Sequence, residues 1–236
     1  MISVCLASYN GEKYIEAQIR SILCQLGQED ELIISDDGSF DDTIRIINSF
    51  CDRRIKLIHH TKRAVKHAFF YTSLNFENAL ENARGEYIFL ADQDDVWAEN
   101  KLVECLEILK DYSLVLHNCS VVDQNMKTVH HSYFDLKNSK KGIIRNLLYN
   151  SYLGCCMCFR REVLEKALPI GNEEIPHDIW LGLVSEKYFK VKFLDKQLLS
   201  YRRHGENLSA SSEKSRNSFA YKIYYRFLIL KKIIKL

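Results

Sequence analysis

The stretch Leu32-Ile33-Ile34-Ser35-Asp36-Asp37-Gly38-Ser39 places three apolar residues directly before a polar, acidic turn. A short apolar run that ends in turn residues is typical of a buried strand in a parallel sheet. The run at 87–91 has the same form and leads into Asp92-Gln93-Asp94-Asp95. Two such strands, with helical patterns between them, predict an α/β fold.

Apolar runs of strand length alternate along the chain with segments whose apolar residues recur at helical spacing. The predicted strands are residues 2–7, 32–34, 55–58, 87–91, 114–122, 154–159, 191–194 and 198–201. The predicted helices are residues 12–26, 43–50, 74–83, 100–110, 161–167 and 178–186. This order predicts βαβ units and a mainly parallel sheet with helices on both faces, in a single domain.

Composition restricts the class of protein. The chain has 236 residues, of which 33 are basic and 31 acidic, and its formal net charge is +2. The length fits one domain with a sizeable core, and 47% hydrophobic residues is an ordinary globular value. A nucleic-acid-binding protein normally has a strong basic excess, so we expect no nucleic acid partner.

The N-terminus and the cysteines bear on the compartment. The N-terminal residues enter an apolar run directly, without the basic segment of a signal peptide. No apolar run reaches the roughly 18 residues that a membrane span needs. We therefore expect a cytoplasmic protein whose cysteines are reduced, with small buried thiols at Cys5, Cys24, Cys51, Cys105 and Cys119.

The C-terminal segment, residues 211–236, differs from the rest of the chain in charge. From Arg216 onward its basic residues are interleaved with aromatic and aliphatic ones, and none is acidic. A basic amphipathic helix of this kind is typical of peripheral contact with an anionic membrane surface, here its inner, cytoplasmic face. The alternative is a helix that packs on its own domain and leaves a solvated basic face.

Both acidic turns follow predicted strands, at the edge where an open parallel sheet binds its ligands. Clustered carboxylates repel one another unless a cation or hydrogen-bond donors lie among them. Oxygen ligands suit Mg²⁺ or Mn²⁺, and a substrate diphosphate would complete the coordination. The alternative is a pair of solvated loops in which Asp serves as a turn or N-cap residue. Neither common glycine-rich phosphate loop is present, so a nucleotide would be held through its metal and base.

Several motifs occur together in a fixed order. They are Ser8-Tyr9-Asn10-Gly11, Ser35-Asp36-Asp37-Gly38-Ser39, Ala91-Asp92-Gln93-Asp94-Asp95-Val96-Trp97, Gly154-Cys155-Cys156-Met157-Cys158-Phe159-Arg160-Arg161, Pro176-His177-Asp178-Ile179-Trp180-Leu181 and Tyr201-Arg202-Arg203-His204-Gly205-Glu206-Asn207. The set covers residues 2–209 and resembles the inverting family 2 glycosyltransferases, with the bacterial rhamnosyltransferase-like members most similar. The resemblance implies a GT-A fold, which has a Rossmann-like, mainly parallel central sheet flanked by helices. It divides the domain into a nucleotide-sugar-binding half, residues 1–112, and an acceptor-binding and catalytic half, residues 113–210.

The resemblance also implies an activity. A sugar would move from a nucleotide diphosphate donor, a UDP- or dTDP-sugar such as dTDP-rhamnose, to a hydroxyl of a growing surface glycan or a lipid-linked acceptor. By the family pattern, the nucleotide-binding residues are Ala7, Ser8, Tyr9, Asp36 and Asp92.

The chemistry that the resemblance implies needs one metal ion and one base. Asp94, with Asp92 and His204, would hold Mn²⁺ or Mg²⁺, which stabilises the departing diphosphate. Asp178 matches the catalytic base, which deprotonates the acceptor hydroxyl for a single inverting displacement. The donor and acceptor pocket would include Trp97, Gly154, His177, Trp180 and Arg202. The two tryptophans have an alternative role as core residues.

Three further features carry less weight. Cys155 and Cys158 have the spacing of a zinc or redox pair, but no second pair completes four ligands, so an apolar strand is the preferred interpretation. His59 and His60 are expected at the surface, away from the acidic turns. The stretch 62–73 departs from the family pattern because it is basic and aromatic and lacks glycine, which leaves the donor open.

Three alternatives remain beside the transferase. A haloacid-dehalogenase-like phosphatase would use Asp92 as its nucleophile, but it does not explain Asp36 or Asp178. A receiver-type signalling domain also clusters Asp at strand ends, but it would leave residues 120–236 unexplained. The third alternative is a family member that binds the acceptor without turnover.

Overall fold

The structure is a computed structural model that describes residues 1–61, 65, 69–170, 175–205 and 219–236. For residues 69 and 219–223 the description covers the backbone alone. Three basic residues of the stretch 62–73, Lys62, Arg63 and Lys66, lie outside the described residues, as does the first part of the predicted tail, 211–218.

Strands and helices alternate through the first half of the chain, as the sequence predicts. The strands are β1 (Ile2–Ser8), β2 (Glu31–Asp36), β3 (Ile55–His59), β4 (Tyr87–Asp92), β5 (Val96–Trp97), β6 (Leu114–Val122), β7 (Thr128–His130), β8 (Met157–Arg160) and β9 (Val191–Arg202). The helices are α1 (Ile15–Leu23), α2 (Thr43–Ser49), α3 (Phe69–Glu81), α4 (Lys101–Leu109), α5 (Tyr133–Lys137), α6 (Ile143–Leu148), α7 (Arg161–Ala167), α8 (His177–Tyr188) and α9 (Phe219–Lys235), with a short 3₁₀ helix at Gly154–Cys156.

The described strands form one mixed sheet in the order β3-β2-β1-β4-β8-β6-β9-β5, and β7 pairs with β6. The strands β3, β2, β1 and β4 are mutually parallel, and β6 is parallel to β9. Strand β8 lies between β4 and β6 and is antiparallel to both, so β4 and β6 run in the same direction. The prediction of a mainly parallel sheet in a single α/β domain is confirmed, with short antiparallel strands inserted.

Burial explains why the central strands are apolar. Every residue of β1 and β2 is buried, and successive side chains of a strand point to opposite faces, so both faces of the sheet are covered. Helix α1 buries Ile15, Ile19, Ile22 and Leu23, which recur at the spacing of one helix face. The predicted helix at 12–26 is therefore present with shorter ends.

The register of three strands brings the two acidic turns to one place. Along β1, Ser8 pairs with Asp36 of β2, and Ala7 pairs with Asp92 of β4. Because these strands are parallel, their carboxyl ends meet at the same edge, on either side of the end of β1.

The second half departs from the prediction in several elements, among them β7 and α5, which were not predicted. The two predicted short strands are one strand, β9, which continues because Asn118 of β6 pairs with Gln197 after a register shift and donates a hydrogen bond to Asp195. The predicted strand at 154–159 begins as a 3₁₀ turn and becomes extended at residue 157. Helix α6 was not predicted, because its stability comes from tertiary contacts: the Glu186 carboxylate accepts from the amide of Gly142 at its start.

Helix α9 packs on the domain. Its buried residues Ile229 and Ile233 join the main core. The Arg226 guanidinium donates to the carbonyls of Leu147 and Leu148 at 2.6 and 2.7 Å, which joins α9 to the end of α6. For the described part of the tail, packing on the domain is therefore observed. No helix among the described residues is long and apolar enough to cross a membrane.

All eight cysteines are free thiols. The expectation of buried thiols is confirmed for Cys5, Cys105 and Cys119 and wrong for Cys24 and Cys51, which are exposed. These two residues follow the last turns of α1 and α2, where the chain leaves the core.

Gly85 provides a test of how closely the strand that leads into the site is packed. A Cβ at this position would lie 2.5 Å from the Ser3 backbone nitrogen and 2.7 Å from the Ile2 carbonyl carbon. Backbone atoms cannot yield as a flexible side chain does, so we expect Gly85→Ala to lower the free energy of unfolding by about 1–3 kcal/mol. At Gly27 a Cβ would meet only the Asp30 side chain, at 3.3 Å, and Gly27→Ala is the matched control. Equal losses in both variants, measured by urea denaturation, would contradict this packing.

Candidate active site

The loop after β2 surrounds Asp36 with hydrogen-bond donors. Its carboxylate accepts from the hydroxyls of Ser8 and Ser39 at 2.9 and 2.5 Å. It also accepts from the backbone amides of Gly38 and Ser39 at 3.0 and 2.8 Å. Gly38 allows this tight turn because its φ is +80°, a conformation that glycine adopts without strain. The loop therefore holds a buried carboxylate in a fixed position beside the end of β1.

His60 pairs with the second carboxylate of this loop. Its Nδ1 lies 2.8 Å from Asp37 Oδ1, and both side chains are buried. The expectation that His60 lies at the surface, away from the acidic turns, is wrong. The parallel pairing of Asp36 with His59 carries the end of β3 to this edge, which the sequence pattern alone did not show.

The second acidic turn follows β4 and is crowded. Ligand atoms of Asp92, Asp95 and Cys155 all lie within 4.8 Å of one another. Burial, and then the charge of Asp94, raises the pKa of Asp92 to about 7. The same two causes raise the pKa of Asp95 well above its usual range. The protein alone therefore disfavours full ionisation of this turn, and added positive charge would favour the carboxylate forms.

The residues of this turn fit a divalent cation. Asp95 is fully buried, and its Oδ2 has no hydrogen-bond partner within the part of the chain that the structure describes. Burial raises the pKa of the Cys155 thiol well above its usual range, so at neutral pH this group is protonated and the ligand atoms are carboxylate oxygens. Oxygen ligands of this kind suit Mn²⁺ or Mg²⁺.

Asp94 and His204, from distant parts of the sequence, are brought together in the structure. The Nε2 atom of His204 lies 2.9 Å from Asp94 Oδ2, with both side chains largely buried. The Tyr14 ring lies 4.8 Å, centroid to centroid, from the imidazole of His204. Three distant parts of the chain thus meet at Asp94.

Arg202, at the end of β9, fixes the shape of the acidic turn. Its backbone amide donates to Asp95 Oδ1 at 2.9 Å, and its guanidinium donates to the Asp94 carbonyl at 2.7 Å. The guanidinium also donates a hydrogen bond to the Gln124 carbonyl at 3.0 Å. In the structure Arg202 is therefore a positioning residue for both aspartates.

Gln93, within the turn, and Lys101, which follows it in the chain, were not among the sequence candidates. Gln93 exchanges two hydrogen bonds with the backbone of Tyr9, at 2.8 and 2.9 Å, and so joins the ends of β1 and β4. Lys101 is fully buried, donates to the Cys155 carbonyl at 2.8 Å and lies 4.0 Å from the Trp97 ring centroid. Its positive charge offsets part of the rise in the pKa of Asp92. A lysine at the start of the helix predicted at 100–110, four residues after Trp97, was the available signal.

Asp178 lies at the start of α8 and faces the same site. Burial raises the pKa of its carboxyl to about 6, and hydrogen bonds from the Ile179 amide and the Asn150 side chain oppose a further rise. Its charge adds to the rise in the pKa of Asp92, so the two carboxylates lie within electrostatic range of each other. A half-buried carboxylate with a pKa near neutrality can act as a general base.

His177 fixes the first turn of α8. Its ring stacks on Phe76 at 4.2 Å, and its Nδ1 lies 3.2 Å from the Ser73 hydroxyl. A Cβ on Gly154 would lie 2.7 Å from Nε2 of His177, so only glycine fits here. Gly154 and His177 are thus brought together next to Asp178.

The two predicted pocket tryptophans are both buried. Trp180 is fully buried, and its indole N–H donates to the Ala167 carbonyl at 2.8 Å. Trp97 is also in the core and packs against Phe89. The structure favours the core-filling interpretation of both side chains over the pocket-wall interpretation.

The family model described as Glycosyl transferase family 2 matches residues 3–168 of this chain. An uncharacterized glycosyltransferase of Nostoc sp. is 29% identical, over 93% of this chain and 71% of its own length. The Escherichia coli protein named UDP-Glc:alpha-D-GlcNAc-diphosphoundecaprenol beta-1,3-glucosyltransferase WfaP is 26% identical, over 91% of this chain and 82% of its own length.

Solved structures share the fold. A fragment of TarS from S. aureus, in complex with UDP-GlcNAc, superposes with a TM-score of 0.71 at 20% identity, and covers 97% of this chain. This chain spans 66% of that fragment. Glucosyl-3-phosphoglycerate synthase from Mycobacterium tuberculosis, with Mn²⁺ and UDP, gives a TM-score of 0.62 at 18% identity, over 96% of this chain and 79% of its own. These likenesses support the GT-A architecture that the sequence motifs imply.

Proposed function

The chain belongs to glycosyl transferase family 2, and we propose that it is a metal-dependent inverting enzyme acting on a lipid-linked or growing glycan acceptor. The observation that carries this proposal is the meeting of three groups at one sheet edge: the Asp36 loop, the turn at Asp92–Asp95 and Asp178. The haloacid-dehalogenase-like phosphatase is not supported, because the family match spans both acidic turns.

The donor that we propose is a UDP-sugar. WfaP, the E. coli relative, is named for UDP-Glc and a glucosyl product, so we place UDP-glucose first and dTDP-rhamnose second. Ala7, Ser8 and Tyr9 would lie along the nucleotide, next to Asp36. Because the Asp36 carboxylate already accepts four hydrogen bonds from its own loop, recognition of the base imide would exchange one of them.

For the metal site we propose Asp94, Asp92 and His204 as the residues that hold Mn²⁺ or Mg²⁺, with Asp95, whose carboxylate lies within 4.8 Å of that of Asp92, as a further oxygen ligand. The Asp94–His204 contact and the raised pKa of Asp92 support this assignment. When bound, the ion would neutralise charge on the diphosphate leaving group. Arg202 orients the turn, as its bonds to the backbone of Asp94 and the side chain of Asp95 suggest.

For the base we propose Asp178. Its carboxylate would accept the proton of an acceptor hydroxyl, whose oxygen then attacks the anomeric carbon from the side opposite the diphosphate. Gly154 and His177 would set the position of this carboxylate, since they fix the first turn of α8. No covalent intermediate on the protein is needed.

The acceptor that we propose is lipid-linked. WfaP is named for a diphosphoundecaprenol acceptor, and an enzyme that acts on such a lipid must approach a membrane. We therefore propose a peripheral location on the cytoplasmic face of the membrane, with contact through the C-terminal helix.

The direct test of activity is a donor panel. The protein is incubated with Mn²⁺, a diphosphate-linked lipid acceptor and UDP-, dTDP- or GDP-sugars, and nucleotide release is measured. We expect release with at least one UDP-sugar and loss of release with EDTA, restored by Mn²⁺. Absence of release and of donor-induced thermal stabilisation with every sugar would contradict the proposed function.

The role of Asp178 has its own test. We expect Asp178→Asn to reduce the turnover rate by about 10²–10⁴-fold, because the amide cannot accept the proton, while donor binding is retained. In the unmodified protein, burial raises the pKa of Asp178 to about 6, so log kcat/KM should fall with unit slope as the pH drops below about 6. Asp111→Asn, at an exposed position, is the matched control. Unchanged turnover in Asp178→Asn would support a different base or a binding protein without turnover.

A further inference from the structure

Exposed apolar side chains are concentrated on two helices, α6 and α9. Of the sixteen exposed large hydrophobic residues in the part of the chain that the structure describes, eight belong to α6, the residue after it, and the C-terminal segment 219–236. These residues are Ile144, Leu148, Tyr149, Tyr224, Phe227, Leu230, Ile234 and Leu236. We call this surface the basic apolar face.

Helix α9 has two different sides. Its inner stripe, Tyr225, Ile229 and Ile233, packs on the domain. Phe227 and Ile234, by contrast, are 62% and 69% exposed. At about 100° per residue, Phe227, Leu230 and Ile234 form a stripe opposite the buried one. Packing on the domain and an outward apolar stripe thus occur on one helix, so the two interpretations of the tail are compatible.

Helix α6 extends this surface. Ile144 and Tyr149 are 77% and 70% exposed, and the Arg226 guanidinium binds the carbonyls of Leu147 and Leu148. The end of α6 is therefore joined to α9, and the exposed residues of the two helices are carried by elements in direct contact.

The charge of these segments is of one sign. Residues 136–150 and 219–236 contain nine of the 33 basic residues and none of the 31 acidic ones. The remainder of the chain therefore carries 24 basic against 31 acidic residues and is net negative. A second copy of the same face would bring these like charges together, so the composition favours an anionic occupant over a dimer.

The basic apolar face lies close to Asp178. The Lys232 ammonium lies 4.5 Å from the Trp180 ring centroid, and the Lys187 ammonium donates to the Ile233 carbonyl at 2.6 Å. Burial and, in smaller part, the Asp178 charge raise the pKa of Tyr225 on the inner side of α9. The inner side of α9 is therefore directed towards the proposed base, and its outer side carries the exposed apolar stripe.

We propose that the basic apolar face, formed by α6 and α9 together, docks on an anionic lipid bilayer and so brings the Asp178 side of the site to the membrane surface. This inference rests on the proposed function, because docking at the membrane would give the site access to a lipid-linked acceptor. Aromatic and aliphatic side chains enter the acyl boundary while lysines and arginines contact anionic headgroups. In this proposal α6 contacts the bilayer together with α9, whereas an anchor formed by the C-terminal segment alone would not involve α6.

The test is sedimentation of the full chain with phosphatidylcholine vesicles that contain or lack phosphatidylglycerol. We expect the unmodified protein to bind the anionic vesicles, more weakly as salt increases. We expect each of three double variants to weaken binding to the anionic vesicles by roughly tenfold or more. They are Phe227→Ser with Ile234→Ser, Lys231→Glu with Lys235→Glu, and Ile144→Ser with Tyr149→Ser. Val103→Ser with Val129→Ser removes equally exposed apolar residues elsewhere and should bind normally.

Donor binding separates this inference from the proposed function. Thermal stabilisation by UDP-glucose with Mn²⁺ should be unchanged in all four variants. If the unmodified protein binds donor but stays in the supernatant with anionic vesicles, the docking inference is overturned and the proposed function stands. Normal vesicle binding by Ile144→Ser with Tyr149→Ser would overturn the role of α6. A dimer that Phe227→Ser with Ile234→Ser dissociates would overturn the bilayer in favour of a second copy.

Discussion

Repulsion among carboxylates at the end of β4 is the constraint on which the rest of the site depends. Asp92, Asp94 and Asp95 lie within one turn, and burial together with mutual charge raises the pKa of Asp92 and Asp95. Such a cluster costs folding free energy unless positive charge or hydrogen-bond donors surround it. A bound cation, itself bound to a diphosphate, would supply the positive charge that stabilises this acidic cluster inside a tightly packed domain.

The surrounding structure compensates this charge from several directions. Arg202 reaches the turn from β9, His204 pairs with Asp94, and the buried ammonium of Lys101 lies next to Trp97. Parallel pairing of β1 with β2 and β4 then places the Asp36 loop on the other side of the same edge. The fold thus converts four distant segments of sequence into one polar site.

Sequence patterns were sufficient for the α/β class and for both acidic turns, because apolar strands that end in Asp have a local signature. They were insufficient for His60, whose contact with Asp37 depends on the register of β3, and for Lys101, whose burial depends on packing against the 3₁₀ turn. Helix α6 was missed for a similar reason, since a six-residue helix is stabilised by its contact with Glu186 rather than by propensity. Contacts between segments that are distant in the sequence could not be predicted from the spacing of apolar residues.

The central claim is that this acidic turn binds the diphosphate of a nucleotide through a divalent cation. Titration calorimetry of UDP into the protein, with and without Mn²⁺, tests it most directly, with Asp94→Asn as the comparison. We predict that Mn²⁺ raises the affinity for UDP at least roughly tenfold in the unmodified protein and leaves it unchanged in Asp94→Asn. Equal affinity of the unmodified protein for UDP with and without Mn²⁺ would contradict the account.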